Sequence, residues 1–229
     1  AIQSSLRRSF PVTLELAIWS MLIAIVIGVP VGIFSAVFRN TPGDYAGRVI
    51  AILGLSAPDF WIATMLITFL AIRFHWIPPV RYRPLTEDPI SNLKQFILPS
   101  LVIGYRLSAT IMRMTRSTLL EVLREDYVRT AHAKGLHGRA VIFRHALKNA
   151  FLPVITIMGG QIAFLLGGAV IIEQIFVLPG MGRLAIQGLT FRDYPLVQTL
   201  VMVFAAIVVL ANLAVDVSYA WLNPRIRFG

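Results

Sequence analysis

Two charged residues stand in this sequence where charge is hardest to keep. Asp59, in "SAPDFWIATMLITFLAI", and Arg106, in "FILPSLVIGYRLSATIM", each interrupt a long apolar run. A charge at the centre of a bilayer costs ~3 kcal/mol or more, so each must face protein or water. Both lie about ten residues into their runs, roughly 15 Å deep at 1.5 Å per residue of helix. Opposite charges at one depth can form a structural ion pair, or they can line a polar path for a charged substrate. The residues alone leave both readings open. Asp216, near the end of the last apolar run, is placed to reach an interface or a neighbouring helix; Glu15 lies near the start of the first.

Other chemistries lack their residues. There is no G-x-x-x-x-G-K-[ST], so the chain cannot cradle ATP by a P-loop of its own. His132 and His137 are five apart, about 140° around a helix, a poor pair for one metal, and His145 has no carboxylate near it in sequence. No H-E-x-x-H or G-x-S-x-G occurs. Cysteine is absent, which excludes disulfides and thiol chemistry. An intramembrane enzyme built on Asp59 would want a second catalytic group. No catalytic residue, metal site or resident cofactor is expected.

The elements that must position Asp59 and Arg106 are membrane helices. Of 229 residues, 57% are hydrophobic and only 14% charged, with a mean hydropathy of +0.75. That is too little polar surface for a soluble domain, in which about 25% of residues are charged. A bilayer core takes roughly 20 apolar residues of helix. Five stretches qualify: about Thr13–Val37, Val49–Phe74, Phe96–Met112, Ala150–Ile172 and Leu196–Leu222. The runs are continuous rather than alternating, which excludes barrel strands. The expected fold is therefore an all-α polytopic bundle of five transmembrane helices, a single domain over 1–229. Gly28, Pro30 and Gly32 are expected to kink or loosen the first helix. Gly159, Gly160, Gly167 and Gly168 allow close contact along the fourth. No inverted repeat is visible, which speaks against two related transporter halves.

The net charge of +10 reads as basic loops retained on one side of a membrane rather than as a nucleic-acid surface. The connections 38–48, 113–149 and 223–229 carry twelve Lys and Arg, against eight in the opposite set. The first set is therefore expected on the cytoplasmic side. The longest of these, 113–149, contains "STLLEVLREDYVRTAHAKGLHGRAVIFRHALKN". Residues 117–134 read as one helix, Gly135 as its C-cap, and a second helix starts after Gly138. Ala131 and Ala133 are small residues that would let another protein approach closely, with Arg129 and Lys134 at the edge. Glu125 and Asp126 weigh against a helix lying on anionic lipid, so the segment is read as a docking element.

"LLEVLREDYVRTAHAKGL" followed by "RHALKNAFLPV" resembles the coupling loop of ABC-importer permeases. The variant resembles the oligopeptide and dipeptide permease family. "SAPDFWIA", "EQIFVLPGMGRLAIQ" and "VDVSYAWLNPRIRFG" extend the likeness over nearly the whole chain. Two departures are plain: Arg129, Thr130 and Ala131 stand where the generic motif begins Glu-Ala-Ala, and Asn223-Pro224-Arg225 stands for Asp-Pro-Arg.

The resemblance implies a transmembrane subunit of an ATP-driven, binding-protein-dependent importer, integral to a bacterial or archaeal plasma (inner) membrane. Its partners would be a paralogous permease chain, two cytoplasmic ATPase subunits that bind ATP and magnesium, and an extracytoplasmic substrate-binding protein, all on a lipid bilayer. The docking element maps onto Glu121, Glu125, Asp126, Tyr127, Arg129, Thr130, Ala131, His132, Ala133, Lys134, Gly135 and Leu136. Family members usually have six helices, so Ala1 is read as the start of a fragment. Short peptides are the expected cargo, with nickel, glutathione or sugars carried by relatives. The alternative drawn from the residues is an ion-coupled secondary transporter using Asp59 and Arg106.

Overall fold

Long apolar stretches with no period of two fold as helices, and no strand occurs among the described residues. The computed structural model describes residues 2–79 and 81–222, and the side chains of His132, Ala163, Phe164, 166–168 and 219–222 lie outside the description. The order is α1 (Ile2–Val37), α2 (Pro42–Ser56), α3 (Asp59–Phe74), α4 (Pro89–Val122), α5 (Asp126–Ala133), α6 (Gly138–Ala140), a π-helical stretch Val141–Ala146, α7 (Leu147–Ile175), α8 (Met181–Thr190) and α9 (Tyr194–Leu222). Four of the helical segments are long and apolar enough to cross a bilayer, and a fifth crossing forms if α2 and α3 count as one span.

The five apolar runs are all present, with different boundaries. The second is not one straight helix: α2 and α3 are bent by 97° at Ala57–Pro58. Pro58 sits in front of α3 in an extended conformation (φ −63°, ψ 137°), and the residue before a proline is itself pushed out of the helical region. The third run, expected over Phe96–Met112, is the middle of a 34-residue helix. Asp88 starts that helix by accepting the Ser91 N–H at 3.1 Å, with Pro89 in the first turn. Residues 113–122, assigned above to the basic loop, are its final turns. The expected helix over 117–134 is thus two helices: α4 ends at Val122, a turn follows, and α5 begins at Asp126.

α1 lies along α4, and its small residues explain how. Ser20, Ala24, Gly28, Gly32 and Ala36 recur every fourth residue and are all buried. A Cβ on Gly28 would meet the Ser108 carbonyl at 2.7 Å; one on Gly32 would meet Thr115 Cβ at 2.7 Å; one on Gly104 would meet Ile23 and Ser20. The contacts advance in one direction along both helices, so α1 and α4 run parallel, backbone against backbone. Gly28 and Gly32 are therefore packing positions and α1 continues through Pro30, which corrects the expected loosening. Gly159 likewise faces Val215 of α9, whereas Gly160 has open space; Gly167 and Gly168 lie outside the described side chains.

The core is built by α1, α4 and α7, with Leu16, Phe96, Ile103, Leu107, Ile111 and Ile172 almost wholly buried. α9 exposes Val201, Met202, Val209, Leu210 and Leu213, an apolar face suited to lipid or to another helix. Asp216 is also exposed there, on the surface of α9.

Candidate functional site

The docking segment is a hook at one end of the bundle. α5 is only eight residues long, too short to be stable alone in water. It is held by one face: Val128 and Ala131 are buried with Val141 of the π-helical stretch, against Val122 and Leu123. The other face is open. Tyr127, Arg129, Thr130, Ala133 and Lys134 are exposed, as are Glu121 in the last turn of α4, and Glu125 and Asp126 in the turn and at the start of α5.

The turn after α5 follows from one glycine. Gly135 has φ +78°, and the Leu136 N–H donates back to the Ala131 carbonyl at 3.3 Å, closing the helix end. Nothing lies within 4 Å of where a Gly135 side chain would start. Leu136 and the residues that follow to Arg139 are exposed, so the tip projects clear of the chain.

Ala131 corrects the sequence reading: it is buried against the protein's own Val128 and Val141, so it seats α5 rather than meeting a partner. Ala133 keeps its exposed position. The His132 side chain lies outside the described residues. Tyr127 joins the hook to the next helix, because Asn149 Nδ2 of α7 donates to its hydroxyl at 2.8 Å.

Behind the hook, a buried ion pair locks three helices. Arg116 of α4 donates from Nε to Asp44 Oδ1 at 2.9 Å and from Nη2 to Oδ2 at 2.8 Å. The Ser35 hydroxyl of α1 donates to Oδ1, and the Asn40 N–H donates to Oδ2 at 3.0 Å. The Asp44 side chain is fully buried, and every acceptor direction it needs is met. Asp44 and Arg116 fall within the connections 38–48 and 113–149 of the sequence, yet they belong to α2 and α4. A signal was present in Thr41-Pro42-Gly43-Asp44, whose N-cap threonine, first-turn proline and acidic residue mark a helix start.

The two charges within the apolar runs do meet. Arg106 Nη1 donates to Asp59 Oδ2 at 3.0 Å, joining α4 to the first turn of α3. The Asp59 side chain is 11% exposed and that of Arg106 34%. Asp59 Oδ1 is buried without a hydrogen-bond partner.

At the other end, Glu173, one residue beyond the fourth apolar run, is a further buried carboxylate. It accepts the Thr13 hydroxyl at 2.6 Å and the Arg183 N–H at 3.0 Å, while Thr13 Oγ1 accepts the Met181 N–H at 2.8 Å. A carboxylate at the start of α8 satisfies N–H groups that have no partner within the helix. Gly180 is required beside it, since a Cβ there would collide with the Glu173 carboxylate. Nearby, Tyr82 donates to Glu15 Oε2 at 3.2 Å; burial, then the Glu15 charge, push the Tyr82 hydroxyl up to about 12.

Residues 28–228 match the family described as binding-protein-dependent transport system inner membrane component. The dipeptide transport system permease protein DppB of Alkalihalophilus pseudofirmus is 42% identical, covering 94% of this chain and 71% of its own length. The glutathione transport system permease protein GsiC of Escherichia coli K12 is 41% identical, covering 96% and 69%. Among solved structures, the MetNI methionine ABC transporter in inward-facing conformations aligns with a TM-score of 0.76 at 18% identity, over 96% of this chain and 97% of that one. That last likeness is one of fold.

Proposed function

This chain belongs to the inner membrane component family of binding-protein-dependent transport systems, and on that premise we propose that it moves short peptides under the control of an ATPase docked on α5. It is a multi-pass integral membrane protein, the permease part of an ABC importer. A peptide cargo is supported by the two permeases it is close to, one named for dipeptides and one for the tripeptide glutathione.

The observation that carries the coupling reading is the two-faced hook. α5 buries Val128 and Ala131 on its own chain and presents Tyr127, Arg129, Thr130, Ala133 and Lys134 outward. A partner that grips the outer face moves the inner one with it. The inner face rests on the π-helical stretch that leads into α7, and the Tyr127–Asn149 bond ties α5 to α7 directly. Closure of two ATPases on ATP would therefore reach the membrane through α7, a two-state element biased by differential contacts.

In this assignment the α5 end is cytoplasmic, in keeping with the excess of Lys and Arg that the sequence places in that set of connections. The membrane is the plasma (inner) membrane. Two ATPase subunits supply the ATP and magnesium sites. A paralogous permease chain completes the path, Asp59 and Arg106 line it, and an extracytoplasmic binding protein delivers cargo to the α8 end. Family membership displaces the ion-coupled alternative.

The chain has no cysteine, which gives a direct test of docking. In the assembled complex, a cysteine at exposed Lys134 should cross-link to a cysteine-bearing ATPase surface, whereas one at buried Val128 should not. Full uptake and ATPase stimulation in a complex carrying a bulky adduct at Lys134 would sink the docking assignment.

A further inference from the structure

Among the described residues, two ion pairs join α4 to a neighbouring helix, and they are built differently. Asp44 has both oxygens filled by Arg116, Ser35 and Asn40, and its side chain is fully buried. That is how a purely structural pair looks. Asp59 is held through Oδ2 alone, with Oδ1 buried and without a hydrogen-bond partner, and a third of the Arg106 side chain is exposed.

Position separates them further. Arg106 is seventeen residues from Pro89 and sixteen from Val122, the middle of α4. Asp59 begins α3 immediately after the 97° break in the α2–α3 pair. Ser56, Pro58 and Phe60, around the break, are exposed on the chain surface. Interrupted helix at mid-membrane depth is tolerated only against protein or a water-filled cavity, and an arginine one-third exposed cannot face hydrocarbon without a penalty of several kcal/mol. Broken helices at the midplane are where membrane carriers place charged cargo.

We propose that the Asp59–Arg106 pair is a docking point for the charged ends of the cargo, taking zwitterionic peptides by exchange of partners. The peptide carboxylate takes the place of Asp59 on Arg106, and the peptide ammonium takes the place of Arg106 on Asp59. In the empty path the two side chains neutralise each other; with cargo present each charge keeps a counter-charge. This inference rests on the peptide reading above and adds that both ends must be unblocked.

The test avoids the binding protein, which selects cargo on its own account. Ser56→Cys is placed in this cysteine-free chain, the complex with its partner permease and ATPases is reconstituted in nanodiscs, and labelling by a charged thiosulfonate is timed. The probes are dialanine and the same peptide acetylated and amidated at its ends.

Labelling should occur, and millimolar dialanine should slow it about tenfold, the effect of losing or making one or two charge-assisted contacts. The capped peptide should have no effect. Asp59→Asn and Arg106→Gln should each abolish protection, and the double variant, which retains an uncharged hydrogen-bonding pair, should keep assembly and labelling while losing protection. Absence of labelling, equal protection by free and capped peptide, or protection that survives both variants would overturn the proposal. Dialanine uptake by the unmodified complex with its binding protein separates the two levels. Uptake without end-group selectivity at Ser56→Cys defeats this inference alone; no peptide uptake defeats the peptide reading and this inference with it.

Discussion

Asp44→Asn tests whether the lock between α1, α2 and α4 stabilises the fold. The substitution keeps the size of the side chain and removes its charge. Asp44 accepts from Arg116 Nε, Arg116 Nη2, the Asn40 N–H and the Ser35 hydroxyl. An amide nitrogen in place of either oxygen turns at least one of these contacts into donor against donor. The guanidinium, 19% exposed, then loses its counter-charge. Removing one member of a buried pair costs about 3–5 kcal/mol. For a chain of this size that corresponds to a fall of roughly 6–20 °C in Tm.

Arg116→Met should cost a similar amount, because it leaves the buried Asp44 carboxylate with only Ser35 and Asn40. The double variant Asp44→Leu, Arg116→Met should recover to within about 1–2 kcal/mol of the parent, since an apolar pair leaves no orphaned charge. Thermal unfolding of the purified chain in detergent micelles, followed by circular dichroism, measures all three. Two losses that simply add in the double variant would show that the pair is not a unit, and single losses under about 1 kcal/mol would show that it does not hold the fold.

Two further outcomes follow from the packing and from the caps. Gly28→Leu drives a Cβ to 2.7 Å from the Ser108 carbonyl and should lower stability by about 3 kcal/mol or more, because backbone must move. Gly160→Leu, with nothing within 4 Å, should change the isolated chain by less than about 0.5 kcal/mol in the same unfolding assay. Asp88 should give α4 a pH-dependent start. Hydrogen bonds from Ser91, then the Arg83 guanidinium, hold its carboxyl at about 2, below its ordinary 3.8. A depressed carboxylate contributes fully above its unfolded pKa and loses that contribution as pH falls through about 2. Asp88→Asn should remove this slope from denaturation curves recorded across that window, and an unchanged slope would refute the cap as its source.

The sequence made some of this visible, and the reason it failed elsewhere is physical. Asp59 and Arg106 were legible as a pair because depth along a helix is simple arithmetic, and the meeting at 3.0 Å needs only matched depth. Gly135 was legible because a left-handed residue at a helix end demands little else. Asp44, Arg116 and Glu173 were not, because spans were cut where apolar residues stopped, which assigns every flanking charge to a loop. Burial of those charges is a tertiary fact: Arg116 lies 72 positions from Asp44, and Thr13 lies 160 from Glu173. Ala131 was misread for a related reason. A small residue on a short helix can admit a partner or seat the helix on its own chain, and only Val128 and Val141 beside it decide between the two. The motif's Asn223-Pro224-Arg225 and the His132 side chain fall outside the described residues.

The glycine-to-carbonyl contact between α1 and α4 has a mechanical consequence. Two helices in glycine-to-carbonyl contact, with the β-branched side chains of Ile23, Ile111 and Thr115 set into the same glycine positions, resist sliding and form one stiff spar along the bundle. Any displacement delivered at the hook must then be taken up elsewhere. The places with slack are the bend at Ala57–Pro58 and the π-helical turns at Val141–Ala146, where regular backbone bonding is already interrupted. One lies beside Asp59 and the other beneath α5. The protein thus concentrates its compliance at two joints, one at each end of the proposed route from nucleotide to cargo, and keeps the frame between them rigid.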